Sequence, residues 1–496
     1  CLAATPNRPA CIEGKEMSPA ATIATTCLMA LGTYSCTPAD PPPLNVVLIV
    51  IDDLGWMDSG TYGSTFYETP NIDRLASEGV RFTDFYTASS VCSPTRASLM
   101  TGKHPARLDL TNWIGGEQSG LLDQAEYIRE LPLSEVTVGE AFQAAGYQTG
   151  YVGKWHLGGA EFLPDAQGFD YMFAVNEAGQ PGAYFPPYEN PNYAVTNVPD
   201  LDGDPEGTYL TDRLTDVTID FLTEHQEEPF FFVLSHYAVH TPLQAKPEVT
   251  ARYADKAEDL GPVTEADYEA EREAETKLRQ DHPTYAAMIE STDQSVGRIL
   301  DALDDLELWE RTIVMFVSDN GGLSTLMRRS PNQATSNLPL RAGKGWLYEG
   351  GIRAPLIVRT PGVPAGGLVS DHPASSTDLY PTLLALAGLP ARPEQHVDGV
   401  SLAAALTAGE AARDTLYWHF PHYHGSGNRP GGAIRAGNFK LVEWFEDGSV
   451  ELYDLATDLS EDHDLATERP EDTQRLQDRL HAWRAKVGAN MPTARN

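Results

Sequence analysis

Leu44-Asn45-Val46-Val47-Leu48-Ile49-Val50-Ile51 is an unbroken apolar, largely β-branched run that stops at Asp52-Asp53-Leu54-Gly55. A strand with one wet face alternates polar and apolar residues; a run without alternation fits a strand buried on both faces of a parallel sheet. Two further runs behave alike. Phe230-Phe231-Phe232-Val233-Leu234-Ser235 leads on to His236 and His240, and residues 312–318 end in Asp319-Asn320-Gly321-Gly322. Helical stretches alternate with these strands at residues 71–78, 136–145, 211–225 and 285–306. Such alternation predicts an α/β sandwich, a large mixed, mainly parallel sheet between helices. Ligands in these folds bind beyond the carboxyl ends of the strands, where polar clusters stand here.

The texture changes after residue 394. Alternating segments near 439–444 and 450–453 predict a small antiparallel sheet, and residues 472–487 a closing amphipathic helix. The chain therefore divides into a main α/β domain, 44–394, and a smaller C-terminal α+β subdomain, 395–496. Residues 258–280, rich in Glu, Ala and Arg without an apolar stripe, are expected to form a solvated helical excursion with no chemistry.

Of 496 residues, 35 are basic and 71 acidic, leaving a formal net charge of −36. Nucleic acid and anionic membranes need a basic face, so the charge argues against either as a partner. The same balance suits a surface adapted to salt water. An acidic chain acting on an anion must gather positive charge locally, so the positions of its nine lysines are informative. Cys1, Cys11, Cys27 and Cys36 crowd the N-terminus. Residues 17–36 are short and mildly apolar, a Pro-rich linker follows, and the whole resembles an export signal of lipoprotein type with Cys36 acylated. Residues 1–43 are read as leader and linker. The protein is expected to be exported: periplasmic, an outer-membrane lipoprotein, or secreted.

Cys92 has no cysteine partner in the body of the chain, which excludes a disulfide there. A free thiol is ordinarily a small buried hydrophobe. Its neighbours point elsewhere: Pro94 suits the first turn of a helix and Gly102 its end. Cys92 then lies at a helix N-terminus that favours an anion, with Arg96 one turn on. Asp52, Asp53, Asp319 and Asn320 offer hard oxygen ligands suited to Ca²⁺ or Mg²⁺ rather than zinc, although each cluster alone also reads as a turn. Lys154 and His156, in Gly153-Lys154-Trp155-His156-Leu157-Gly158, project to one face if the segment is a strand. His240 and Lys344 stand in Val239-His240-Thr241-Pro242 and Ala342-Gly343-Lys344-Gly345-Trp346.

Cys92-Ser93-Pro94-Thr95-Arg96 resembles the signature of type I sulfatases of the alkaline phosphatase superfamily, whose Cys-X-Pro-X-Arg cysteine is oxidised to formylglycine. The other blocks resemble sulfatase elements in the family's order. The resemblance implies that Asp52, Asp53, Asp319, Asn320 and modified Cys92 hold one divalent metal, here expected to be Ca²⁺. It implies that Arg96 and Lys154 steady the formylglycine, and that Lys154 and Lys344 grip sulfate oxygens. It further implies that His156 serves the nucleophilic hydroxyl and that His240, with Lys344, supports the leaving oxygen. A formylglycine-generating maturation enzyme is the implied partner. A phosphatase or phosphodiesterase on the same scaffold would use Ser or Thr and two transition-metal ions, which the cysteine run and the lysines disfavour. A non-catalytic relative would have lost Cys92, Arg96, His156 or Lys344, and all are present.

The stretch Tyr417-Trp418-His419-Phe420-Pro421-His422-Tyr423-His424, with residues 428–435, resembles the variable region of bacterial carbohydrate sulfatases. Aromatic faces stack on sugars and polar groups orient them. His422 and Arg429 are the expected sugar contacts. By analogy the substrate is a sulfated saccharide, attacked in exo fashion at a galactose or N-acetylgalactosamine terminus.

Overall fold

Eight strands form the central sheet of the computed structural model, which describes residues 42–363 and 366–495. In chain order they are β1 (Asn45–Ile51), β2 (Val80–Phe82), β3 (Gln148–Gly153), β4 (Tyr171–Phe173), β5 (Phe230–Ser235), β6 (Thr312–Ser318), β7 (Leu356–Arg359) and β8 (Leu368–Ser370). Their spatial order is β8-β2-β7-β6-β1-β5-β3-β4. β7 alone runs against the rest. The sheet is large, mixed and mainly parallel, as the strand runs predict.

The absence of alternation in β1 has a direct cause. Val47, Ile49 and Ile51 enter one core with α1 (Pro70–Glu78), α4 (Leu210–Glu224) and α6 (Pro283–Asp305). Val46, Leu48 and Val50 enter the opposite core, with α2 (Cys92–Thr101) and α3 (Val138–Gln143). Both faces lose water, so both must be apolar. The observed helices match the expected ones within a few residues, and α3 starts at a capping box between Thr137 and Glu140.

Pro43–Asn496 forms one compact unit. Its C-terminal sheet, β9 (Thr415–Phe420), β10 (Gly431–Ala436), β11 (Phe439–Trp444) and β12 (Val450–Asp454), is antiparallel throughout. Trp418, Val442 and Trp444 pack with Trp346 and Tyr348, while Ile434, Leu441 and Leu452 meet Leu476 and Leu480 of the final helix, Pro470–Val487.

Two expectations require correction. Residues 258–280 form no α-helix beyond the end of α5 (Pro247–Glu258): a single 3-10 turn at Glu265–Asp267 leads into Tyr268–Glu271, which pairs with Ala274–Lys277 as a hairpin that Thr325–Leu326 extends. Ala274, Thr276 and Lys277 are buried and Glu275 partly so, which gives no helical stripe. Nor are Lys154 and His156 on a strand: β3 stops at Gly153, and His156 adopts a left-handed φ of 56°. The four cysteines of the expected leader lie outside the described residues. Among those described, no helix is long and apolar enough to cross a membrane.

Candidate active site

The parallel strands β1, β3, β5 and β6 deliver their carboxyl ends to one edge of the sheet. Asp52 and Asp53 follow β1, Lys154 follows β3, and Asp319 and Asn320 follow β6. At Gly153 (φ 94°) the turn out of β3 has no room for a side chain: a Cβ would sit 2.0 Å from the Ser235 carbonyl oxygen. That close approach lets the Lys154 N–H donate to Ser235 O at 2.8 Å and sends the lysine inward. Asp53 takes a left-handed φ of 61°, and its N–H donates to Asp319 Oδ1 at 3.2 Å.

Helix α2 aims its first turn at this edge, and Gly102 closes it in the left-handed conformation. Arg96 staples the helix to three strand ends. Its Nε and Nη2 both lie 2.8 Å from Asp319 Oδ2, and Nη1 donates to Lys154 O at 2.8 Å and to Ser235 Oγ at 2.7 Å. Lys154 Nζ donates to Asp52 Oδ2 at 2.6 Å; Lys344 Nζ lies 2.6 Å from Asp53 Oδ1 and 3.4 Å from Cys92 Sγ. Three carboxylates thus meet three cations, all buried. Charge in the site balances where the chain as a whole is strongly acidic.

Burial governs the titrations. It pushes the Cys92 thiol up to about 12, against the pull of Lys154 and Lys344, so an unmodified Cys92 stays protonated at neutral pH. Burial also raises Asp52 to about 7, opposed by Lys154. Burial acts upward on Asp53 as well, but the combined pull of Lys344, His240 and Lys154 holds that carboxyl low. His240 is pushed down to about 3 by burial and then by Lys344. Burial and Lys154 likewise keep His156 neutral. The His156 ring nitrogen Nε2 faces the Ile114 carbonyl at 3.2 Å and must donate to it, which leaves Nδ1 as a bare lone pair without a partner. His156 therefore presents Nδ1 as a hydrogen-bond acceptor.

A divalent cation fits this donor set. One ligand atom each from Asp52, Asp53, Cys92 and His240 lies within 4.8 Å of the others. The buried Asn320 Oδ1 has no hydrogen-bond partner, while its Nδ2 donates to Asp53 Oδ1 at 2.7 Å. An orphaned amide oxygen beside converging carboxylates is a ready oxygen ligand for a hard cation.

Above these groups opens a cavity of 850 Å³ whose lining includes Cys92, His156, His240 and Lys344, with Trp113 and Tyr193 among its walls. Neither His422 nor Arg429 reaches it. His422 is fully buried, its Nε2 2.8 Å from Thr111 Oγ1 and its ring edge-on to Tyr127; Arg429 pairs with Glu446 at 3.2 Å. His424 lines the cavity in their place. Its Nδ1 accepts from the Ser426 N–H at 3.2 Å, so Nε2 carries the proton, and Gly345 (φ 88°) makes room for the ring where a Cβ would come within 2.4 Å. Sequence reading also missed Ser235, Ile114 and Trp113. They come from a strand end and a loop with no motif of their own.

A protein that gathers a guanidinium, two ammonium groups and an oxygen-ligand cluster around a helix-start cysteine is built to hold the ester of a tetrahedral oxyanion. The family model Sulfatase matches residues 44–389, and the model N-sulphoglucosamine sulphohydrolase, C-terminal, matches residues 342–486. The chain belongs to the sulfatase family and is an enzyme that hydrolyses sulfate esters. N-acetylgalactosamine-6-sulfatase of Mus musculus is 33% identical, the match covering 87% of this chain and 77% of that protein. A sulfatase of Formosa agariphila is 32% identical over 90% of this chain and 89% of its own length. The solved structure of Ps i-CgsB in complex with k-i-k-neocarrahexaose superposes with a TM-score of 0.73 at 29% identity, covering 89% of this chain and 93% of that one.

Proposed function

We propose that this sulfatase releases inorganic sulfate from a sulfated carbohydrate, through formylglycine made from Cys92 by a maturation enzyme and one Ca²⁺ held by Asp52, Asp53, Asp319, Asn320 and the modified side chain. The observation that carries this is Cys92 itself: a buried, protonated thiol at a helix start, 3.4 Å from Lys344 and 3.6 Å from Asp52, is useless as a nucleophile unless converted. As the aldehyde hydrate, position 92 supplies one hydroxyl to attack sulfur and a second whose deprotonation expels sulfate. Calcium, when bound, supplies charge stabilisation at the sulfate oxygens. Lys154 and Lys344 bind those oxygens, His156 Nδ1 accepts a hydrogen bond from the nucleophilic hydroxyl, and Arg96 holds the helix start against Asp319. His240 and Lys344 stand by the leaving oxygen.

Sugar selection, expected at His422 and Arg429, is assigned here to His424, with His422 and Arg429 holding its loop. The N-acetylgalactosamine-6-sulfatases among the relatives support a sulfated galactose or N-acetylgalactosamine unit as substrate, and exo action is part of the same proposal. The apolar segment before Cys36 supports export. Matured enzyme assayed on defined sulfated saccharides and matched phosphate esters tests the reading; preferential phosphate release overturns it.

Two results follow. Chelation should lower Tm by at least ~3 °C and Ca²⁺ should restore it, because Asp52, Asp53 and Asp319 lose a shared counter-ion; stoichiometric zinc in active enzyme contradicts the ligand set. His424→Ala should cut kcat/KM on the preferred saccharide by ~10- to 100-fold and that on a small aryl sulfate far less. Parallel losses on both place His424 in the sulfate site.

A further inference from the structure

A second cavity, of 430 Å³, adjoins the catalytic one, and the Gln180 side chain lines both. Thr241 lines the second cavity and is the residue after His240, which lines the first. Thr241 Oγ1 donates to Gln180 Oε1 at 3.4 Å, so the two loops meet in one shared wall.

The chemistry of this cavity differs from that of the first. Its polar lining is Gln180, Asn190, Thr241, His282 and Asn332, and among the described residues no Lys, Arg, Asp or Glu lines it. The His282 Nδ1 accepts from the Tyr285 N–H at 3.2 Å, leaving the proton on Nε2, and burial together with the charge of Lys277 keeps the ring neutral. Amides, a hydroxyl and a neutral imidazole both donate and accept, which is what sugar hydroxyls require. A second sulfate or a uronate would need a cation, and the lining has none. Pro242, Leu243 and Pro331 supply an apolar surface for a ring face. The volume lies within the range of about 300–1,000 Å³ typical of small-ligand sites.

We propose that this second cavity is a subsite for an uncharged sugar unit joined to the sulfated one, so that the enzyme reads at least a disaccharide across Gln180. The inference rests on the carbohydrate reading above. The probes are the methyl glycoside of sulfated N-acetylgalactosamine and the same unit extended at its reducing end by galactose, assayed with mature full-length enzyme. The disaccharide should be preferred by ~10-fold or more in kcat/KM, mainly through KM. Asn332 is exposed, so its replacement leaves the fold intact. Asn332→Trp, which places a bulky indole in the cavity, should bring the disaccharide-to-monosaccharide ratio near one, and Asn332→Ala should lower it by ~3-fold. Equal use of the two probes by wild type, or a ratio that survives Asn332→Trp, overturns the subsite while leaving the carbohydrate reading intact. Release of sulfate from an aryl sulfate but from neither saccharide overturns both.

Discussion

Cys92→Ala is expected to fold normally and to lose turnover by on the order of 10⁴-fold or more. The side chain is buried, but its polar contacts are weak: a sulfur 3.6 Å from Asp52 Oδ1 and 3.4 Å from Lys344 Nζ. Cys92 is the first residue of its helix, no side chain caps that end, and alanine is a good helix former. The fold loses a methyl-sized group, while the proposed reaction loses the precursor of its attacking hydroxyl. Sulfate release measured beside a thermal melt separates the two. Activity within tenfold of wild type at unchanged Tm would remove position 92 from the chemistry.

Arg96→Met should be the most damaging single change to stability. Arg96 ties α2 to Asp319, Ser235 and the Lys154 carbonyl, and Asp319 is completely buried. Removing one partner of a buried pair strands the other charge in a medium that cannot solvate it, at a cost of about 3–5 kcal/mol. Denaturant unfolding should show that loss in full with chelator present and a smaller loss in calcium, since a bound cation offsets the stranded carboxylate. Arg96→Lys should not restore it, because an ammonium cannot reproduce the forked contacts to three strand ends. A change under ~1 kcal/mol in chelator means that Asp319 finds another partner.

What could be read from the sequence divides along physical lines. The unbroken run of β1 declares burial on both faces, because alternate residues feed opposite cores. The placement of Asp52, Asp53, Asp319 and Asn320 follows from parallel strands sharing a carboxyl edge. Local signals also suffice for α2, where Pro94 and Gly102 mark the ends. Lys154 and His156 reach the site by a tight turn, which depends on the approach of Gly153 to Ser235 in a different strand; no local pattern encodes that contact. His424 lines the cavity and His422 does not because Thr111 and Tyr127 draw the latter inward, contacts made across some three hundred residues. The 268–277 hairpin was hidden by charge, since Glu and Arg dominate its wet face.

Peptide mass spectrometry of position 92, made quantitative over preparations with graded supply of the maturation enzyme, bears most directly on the proposed chemistry. Specific activity should rise in proportion to the fraction carrying aldehyde in place of thiol and extrapolate to zero where that fraction is zero. Full sulfatase activity in protein whose Cys92 is wholly unmodified would contradict it.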